Sequence, residues 1–167
     1  MLKPIIVFFL CLLVVGCTKS QPPLKPGPLP QVTSTGVVKA TPLETTITRG
    51  QTGEAIVRLR IDHGYHVNAN PPSYPYLIPT ELKISPPGGV TVDSITYPQA
   101  LTMKFSFAEQ PLRVYEGEAD VKVTLSAAST AQTGTHNLSA TLRVQACDDQ
   151  VCYAPGSIDL TVPVSIK

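Results

Sequence analysis

Tryptophan is absent from this 167-residue chain, aromatic residues make up only 6% of it and charged residues only 15%. Without tryptophan, the antibody type of immunoglobulin core, in which a buried indole packs on an inter-sheet disulfide, is excluded. Neither sign of charge prevails, with 13 Lys and Arg against 12 Asp and Glu. The chain therefore has no basic excess with which to grip nucleic acid or an anionic lipid surface. No glycine-rich phosphate loop follows a candidate strand, and the histidines and carboxylates form no triad or paired-acid signature, which argues against nucleotide chemistry and hydrolysis. Helical periodicity is missing too: 17 prolines and 11 glycines interrupt nearly every candidate window, so helix should be scarce.

What is present begins with an export signal. Lys3 supplies a positive start, and residues 5–15 are almost uninterruptedly apolar, a run too short for the roughly 20 residues that span a bilayer. It ends in Val14-Val15-Gly16-Cys17, which resembles the lipobox of bacterial lipoproteins, where the cysteine is acylated and becomes the first residue after cleavage. Two or three acyl chains would anchor the protein stably to a membrane through Cys17. Lys3 and Cys11 leave with the signal, so 12 basic residues face 12 acidic ones in a neutral mature protein. Half of residues 21–30 are proline, a composition that favours extended polyproline II and a stalk of roughly 30 to 40 Å. The expected organisation is a lipoprotein signal peptide over residues 1–16, the lipidated cysteine and a Pro-rich linker over 17–34, and one folded domain over 35–167. The expected location is the periplasm-facing cell envelope. Thr18 is not the aspartate that retains lipoproteins in the inner membrane, which leans the anchor toward the outer one.

Beyond Gln31 the apolar residues recur with period two, the spacing that places alternate side chains on one face of a strand. Val57, Leu59 and Ile61 alternate with Arg58 and Arg60, which read as solvated outer surface. Leu82 and Ile84, then Val121, Val123 and Leu125, then Leu138, Ala140, Leu142 and Val144 follow the same rule, and Ile158 to Ile166 gives the longest run. Turn formers such as Pro86-Pro87-Gly88-Gly89 and Pro155-Gly156 separate these runs. The pattern predicts an all-β fold, an immunoglobulin-like antiparallel β-sandwich of about 7–9 strands in two packed sheets.

With Cys11 discarded and Cys17 lipidated, Cys147 and Cys152 are the remaining pair among four cysteines, and in an exported protein such a pair can oxidise. Counting by twos, Cys147 shares a face with Ser139, Thr141, Arg143 and Gln145, opposite the apolar set, which predicts a sulfur on the outer face within reach of a partner. Two readings stand side by side. A structural clip around so small a loop restrains the unfolded chain by only about 2 kcal/mol, and short spacing favours a redox role instead. Asp148 and Asp149 disfavour a thiolate beside them, which suits a relay that is attacked rather than an aggressive nucleophile. Neither a metal nor a cofactor is expected, since two thiolates would need further ligands and His63, His66, His136 and Met103 are scattered. His66, Asn68 and Asn70 could line a site, or could satisfy backbone groups beside a proline turn.

Several segments in order resemble the amino-terminal periplasmic domain of the thiol:disulfide interchange protein DsbD family. They are Gly64-Tyr65-His66-Val67-Asn68-Ala69-Asn70-Pro71, Leu77-Ile78-Pro79-Thr80, Val114-Tyr115-Glu116-Gly117, and Gln145-Ala146-Cys147 with Cys152-Tyr153-Ala154-Pro155. The resemblance covers about residues 41–167. It implies an immunoglobulin-like domain that passes electrons between a membrane-embedded thiol relay or thioredoxin-fold proteins and periplasmic acceptors. It further implies that Cys152 forms the mixed disulfide with an acceptor and Cys147 resolves it. By the same likeness a cap loop over residues 97–110 shields the pair with Phe105 or Phe107, and Tyr65 and Tyr153 are aromatic neighbours of the disulfide. The cysteine loop is one residue shorter than in the DsbD domain. As the sequence ends at Lys167, the reductant is expected to be a separate protein, and the domain a monomer. The expected function is a lipid-anchored thiol-disulfide exchange module, of protein-disulfide reductase type if it is an enzyme. The alternative is a non-catalytic β-sandwich binding or scaffolding lipoprotein with a structural disulfide.

Overall fold

The computed structural model describes residues 31–167; the signal segment, Cys17 and the proline cluster lie outside the described residues. In chain order the strands are β1 (Val38–Pro42), β2 (Thr45–Ile47), β3 (Thr52–Ile61), β4 (His66–Asn68), β5 (Glu81–Ser85) and β6 (Val90–Thr96). They continue as β7 (Leu101–Met103), β8 (Leu112–Tyr115), β9 (Glu118–Ala127), β10 (Gly134–Val144), β11 (Ala146–Cys147) and β12 (Gly156–Ile166). No helix occurs among the described residues.

The fold is the expected immunoglobulin-like, all-β one, with two refinements. Twelve strands are formed rather than seven to nine, because five of them are only two to four residues long, too short for a period to register in sequence. They lie in three sheets rather than two: β1-β3-β9-β6, β2-β12-β10-β5 and β11-β4-β8-β7. Every pairing is antiparallel except that of β2 with β12.

The apolar alternation read from the sequence becomes the core. Val57 and Leu59 of β3, Val121, Val123 and Leu125 of β9, Leu138, Leu142 and Val144 of β10, and Val162 and Val164 of β12 are all fully buried in one cluster. Burial of each such side chain favours the folded state by about 1.5–3 kcal/mol. The opposite face of the β3–β9 pair is not merely solvated. Arg58 and Asp120 are directly opposed in the ladder and form a two-bond ion pair at 2.8 and 2.9 Å. Arg60 likewise meets Glu118 at 2.7 Å. Arg58 holds the Asp120 carboxyl below the usual carboxylate range; such surface pairs set strand register more than they stabilise.

The third sheet positions the cysteines. One of its faces, carrying Val67, Ala146 and Tyr115, belongs to the main core. By strand alternation and pairing, His66, Cys147, Leu112 and Val114 lie on its other face. Leu112 and Val114 pack there with Phe105 in a second, small cluster. At Gln145 the chain leaves the β10–β12 pair and enters this sheet, keeping its alternation as it does so: Val144 and Ala146 stay in the core and Cys147 stays opposite.

Candidate functional site

Cys147 and Cys152 face each other across an antiparallel bridge and are joined by a disulfide, with their Cα atoms 3.9 Å apart. Two backbone hydrogen bonds flank the pair: the Tyr153 amide donates to the Ala146 carbonyl at 2.8 Å, and the Asp148 amide to the Val151 carbonyl at 3.0 Å. Asp148 closes the turn between the cysteines. Its Oδ1 accepts from the Gln150 and Val151 amides, both at 2.8 Å, and its Oδ2 accepts from the Tyr153 hydroxyl. This is the local chemistry that makes Asp a turn former.

These bonds set the electrostatics beside the sulfurs. The Tyr153 hydroxyl, followed by the two turn amides, lowers the Asp148 pKa, so its negative charge persists at neutral pH next to the cysteines. In return the bond to Asp148 pushes Tyr153 up to about 12. The Asp148→Asn variant should release that tyrosine toward its ordinary value of about 10. An ultraviolet titration of tyrosinate should then lose its most alkaline component; an unchanged titration would place Tyr153 away from Asp148.

The two sulfurs differ in access. Cys147 is on the face predicted from period two, but it is only 1% exposed, against the expectation of a sulfur open to partners. That face is not solvent here, because the loop between β7 and β8 lies over it. Cys152 is partly exposed and opens into a groove of about 540 Å³ whose walls include Tyr74, Tyr76, Leu77, Phe107 and Val151.

The covering loop spans residues 104–111, shorter than the 97–110 expected, because Leu101–Met103 is taken up in β7 against β8 and Tyr97 is tied to the sandwich, accepting the Leu82 amide on its hydroxyl at 2.9 Å. Lys104 Nζ donates to the carbonyls of Ala108 and Glu109, which draws the loop into a tight turn. Ser106 donates to the Asp149 carbonyl at 2.6 Å, tying the loop to the cysteine turn. Of the two candidate aromatics, Phe105 is 3% exposed and Phe107 is 39% exposed. The rings stack with centroids 5.4 Å apart, so Phe107 lines the groove while Phe105 faces inward against the His66 ring at 5.0 Å.

Tyr65 and Tyr153 approach with ring centroids 6.1 Å apart. A turn with Gly64 at φ 84° delivers Tyr65 and His66 to β4, a backbone conformation that glycine adopts without steric cost. His66 is 4% exposed and is paired with Cys147 in the ladder. Its Nε2 lies 3.9 Å from Glu116, while its Nδ1 has no hydrogen-bond partner. Asn70 is not at the cysteines: its side chain donates to the Thr80 carbonyl at 3.0 Å. His136 stands apart too, on the Gln132 carbonyl.

Three residues hold the site by hydrogen bonds that the sequence does not reveal. Ser34, at the end of the stretch read as linker, is buried; it donates to the Ala154 carbonyl at 2.6 Å and accepts the Ala146 amide at 2.9 Å, joining both sides of the cysteine hairpin. Gln145 accepts from the Ile78 amide and from Asn68 Nδ2, at 3.1 and 3.0 Å, clamping the hairpin to the loop before β5. Asn68, weighed as possible site lining, is buried as part of that clamp. Asn68 and Gln145 fall in the segments that carry the family resemblance, but their partners lie far off in sequence, and nothing in the sequence context of Ser34 marks it out.

Comparison with known proteins bears on the fold and the family. No curated protein matches the chain. The crystal structure of the Neisseria meningitidis DsbD N-terminal domain in its reduced form is similar at 17% identity and TM-score 0.51, over 80% of this chain and 90% of that one. The N-terminal periplasmic domain of ScsB from Proteus mirabilis is similar at 16% identity and TM-score 0.51, over 75% of this chain and 44% of that one. The family profile described as thiol:disulfide interchange protein DsbD, N-terminal, matches residues 36–162. Those residues are most of the chain, and it belongs to the DsbD N-terminal domain family.

Proposed function

We propose that this domain is a thiol-disulfide exchange module of the bacterial envelope, cycling between the Cys147–Cys152 disulfide and its dithiol. The observation that supports it most is the inequality of the two cysteines: Cys152 opens into an apolar-walled groove while Cys147 is almost fully buried. A clip that only restrains the fold has no use for that difference. In the exchange, a thiolate of a thioredoxin-fold protein or membrane thiol relay attacks Cys152 Sγ. The disulfide breaks, Cys147 leaves as a thiolate and takes up a proton. The partner's second thiolate then attacks its own sulfur in the mixed disulfide and releases Cys152. The partner is left with a disulfide and this domain with two thiols. The reverse sequence delivers the electrons to an acceptor disulfide, with Cys152 again the sulfur that forms the mixed disulfide.

Tyr65, His66, Tyr153, Phe105 and Phe107 surround the reacting pair in this reading. Cys17 carries the lipid anchor, the proline-rich stretch after it is its tether, residues 31–167, Ser34 included, form the exchange domain, and the protein works as a periplasm-facing monomer. The test is the reduction potential of the pair, measured by equilibration with glutathione and dithiothreitol buffers. Exchange predicts a value between about −180 and −270 mV, the range of protein disulfide isomerase and thioredoxin. A value well below about −300 mV is that of a structural staple and would overturn the proposal.

A further inference from the structure

Cys147, His66 and Glu116 form a row across the third sheet. Cys147 and His66 are directly opposed in the β11–β4 ladder, and opposed residues share a face with Cβ atoms about 4.5–5.5 Å apart. On its other side, His66 Nε2 looks toward the Glu116 carboxylate at 3.9 Å. Phe105 closes over the ring edge-on, and the imidazole Nδ1 is left buried without a hydrogen-bond partner. Folded domains ordinarily remove such an orphaned atom because it costs stability. Here it is kept beside a residue that becomes a hydrogen-bond donor only when the disulfide opens.

We propose that His66 Nδ1 is the proton acceptor for the Cys147 thiol, a role that rests on the exchange reading above. The Glu116 carboxylate favours the tautomer with the proton on Nε2, which leaves Nδ1 as a lone pair. Neither sulfur of the disulfide has a hydrogen to offer it; the reduced Cys147 does. When Cys152 is joined to an acceptor, the Cys147 proton passes to Nδ1 and the Cys147 thiolate attacks Cys152 Sγ. The Cys147–Cys152 bond forms, the bond from Cys152 to the acceptor breaks, and the acceptor sulfur leaves with the electron pair. The imidazolium, opposite Glu116, then returns its proton to that thiolate or to solvent. The titratable groups packed around the ring are Glu116, next to the end of β8, and Cys147 of β11. Lys104 in the covering loop is engaged by its own carbonyls, and Asp148 by Tyr153.

The resolving step can be watched directly in the full-length chain in detergent, with Cys11→Ser and Cys17→Ser so that only the pair carries thiols. Reduced protein is mixed with dithiobis(nitrobenzoate) in a stopped-flow instrument. Cys152 displaces one coloured thiolate, and Cys147 then displaces the second in a first-order phase. In His66→Phe, which keeps a ring beneath Phe105, that second phase should slow by at least about tenfold at neutral pH. It should also lose the wild-type inflection where imidazole titrates, following thiol ionisation alone. His66→Asn, whose amide can accept a hydrogen bond but cannot take up a proton, should stay about as slow as His66→Phe. Glu116→Gln should also slow the second phase, since the imidazolium that forms during the step loses the carboxylate opposite it. An unchanged second-phase rate and pH profile in His66→Phe would overturn the proposal; should that variant fail to melt cooperatively, an undiminished second phase in Glu116→Gln would overturn it instead. A wild-type protein with no second phase would sink the exchange reading itself.

Discussion

Phe105→Ala is expected to accelerate reduction of the Cys147–Cys152 disulfide by dithiothreitol by about tenfold or more, while the sandwich still unfolds as one cooperative unit. Phe105 is almost fully buried, yet it belongs to the small cluster with Leu112 and Val114 and not to the main core. Truncating a buried phenylalanine costs about 3–5 kcal/mol. Because the side chain stabilises chiefly the closed position of the 104–111 loop, much of that loss should appear as loop opening, a local event below global unfolding. Every 1.4 kcal/mol is a factor of ten, so about half of the loss suffices. The chemistry points the same way: an attack on Cys152 expels Cys147 as a thiolate, and a thiolate forming in an apolar, dry site is disfavoured. Opening the loop hydrates the leaving group. Phe107→Ala, at a more exposed ring, should change the rate far less. Equal rates in wild type and Phe105→Ala would mean that the loop does not govern access to the pair.

Much of this was legible in the sequence, for a reason that also marks where legibility ends. Strands such as β3, β9 and β10 are ten or eleven residues long, enough for period two to declare both the strand and its buried face. The alternation even assigns Cys147 to the correct side of its strand. It could not show that a loop from another part of the chain covers that side, since burial there depends on a tertiary contact. The third sheet was invisible for a related reason. Its strands run from two to four residues, and what joins β4 to β8 and β11 is pairing between segments far apart in sequence. The environment of His66, set by Cys147 on one side and Glu116 on the other, is a product of that pairing. Arg58 and Arg60 were placed on the outer face correctly, but their partners Asp120 and Glu118 become visible only once β3 and β9 are in register.

The measurement that bears most directly on the central claim compares two single variants, Cys147→Ser and Cys152→Ser, each in the full-length chain with Cys11 and Cys17 also replaced by serine. Each carries one thiol of the pair. Each is mixed with a thioredoxin that keeps only its exposed active-site cysteine, activated as a nitrothiobenzoate disulfide, and the covalent adduct is followed by non-reducing electrophoresis. The Cys147→Ser protein, whose remaining sulfur opens into the groove beside Tyr76 and Val151, should be captured at least about tenfold faster than Cys152→Ser, whose remaining sulfur is sealed, because exchange rates follow access to the sulfur. Adduct through Cys152 and almost none through Cys147 is the predicted result. Equal capture of the two variants, or faster capture of Cys152→Ser, would contradict the account.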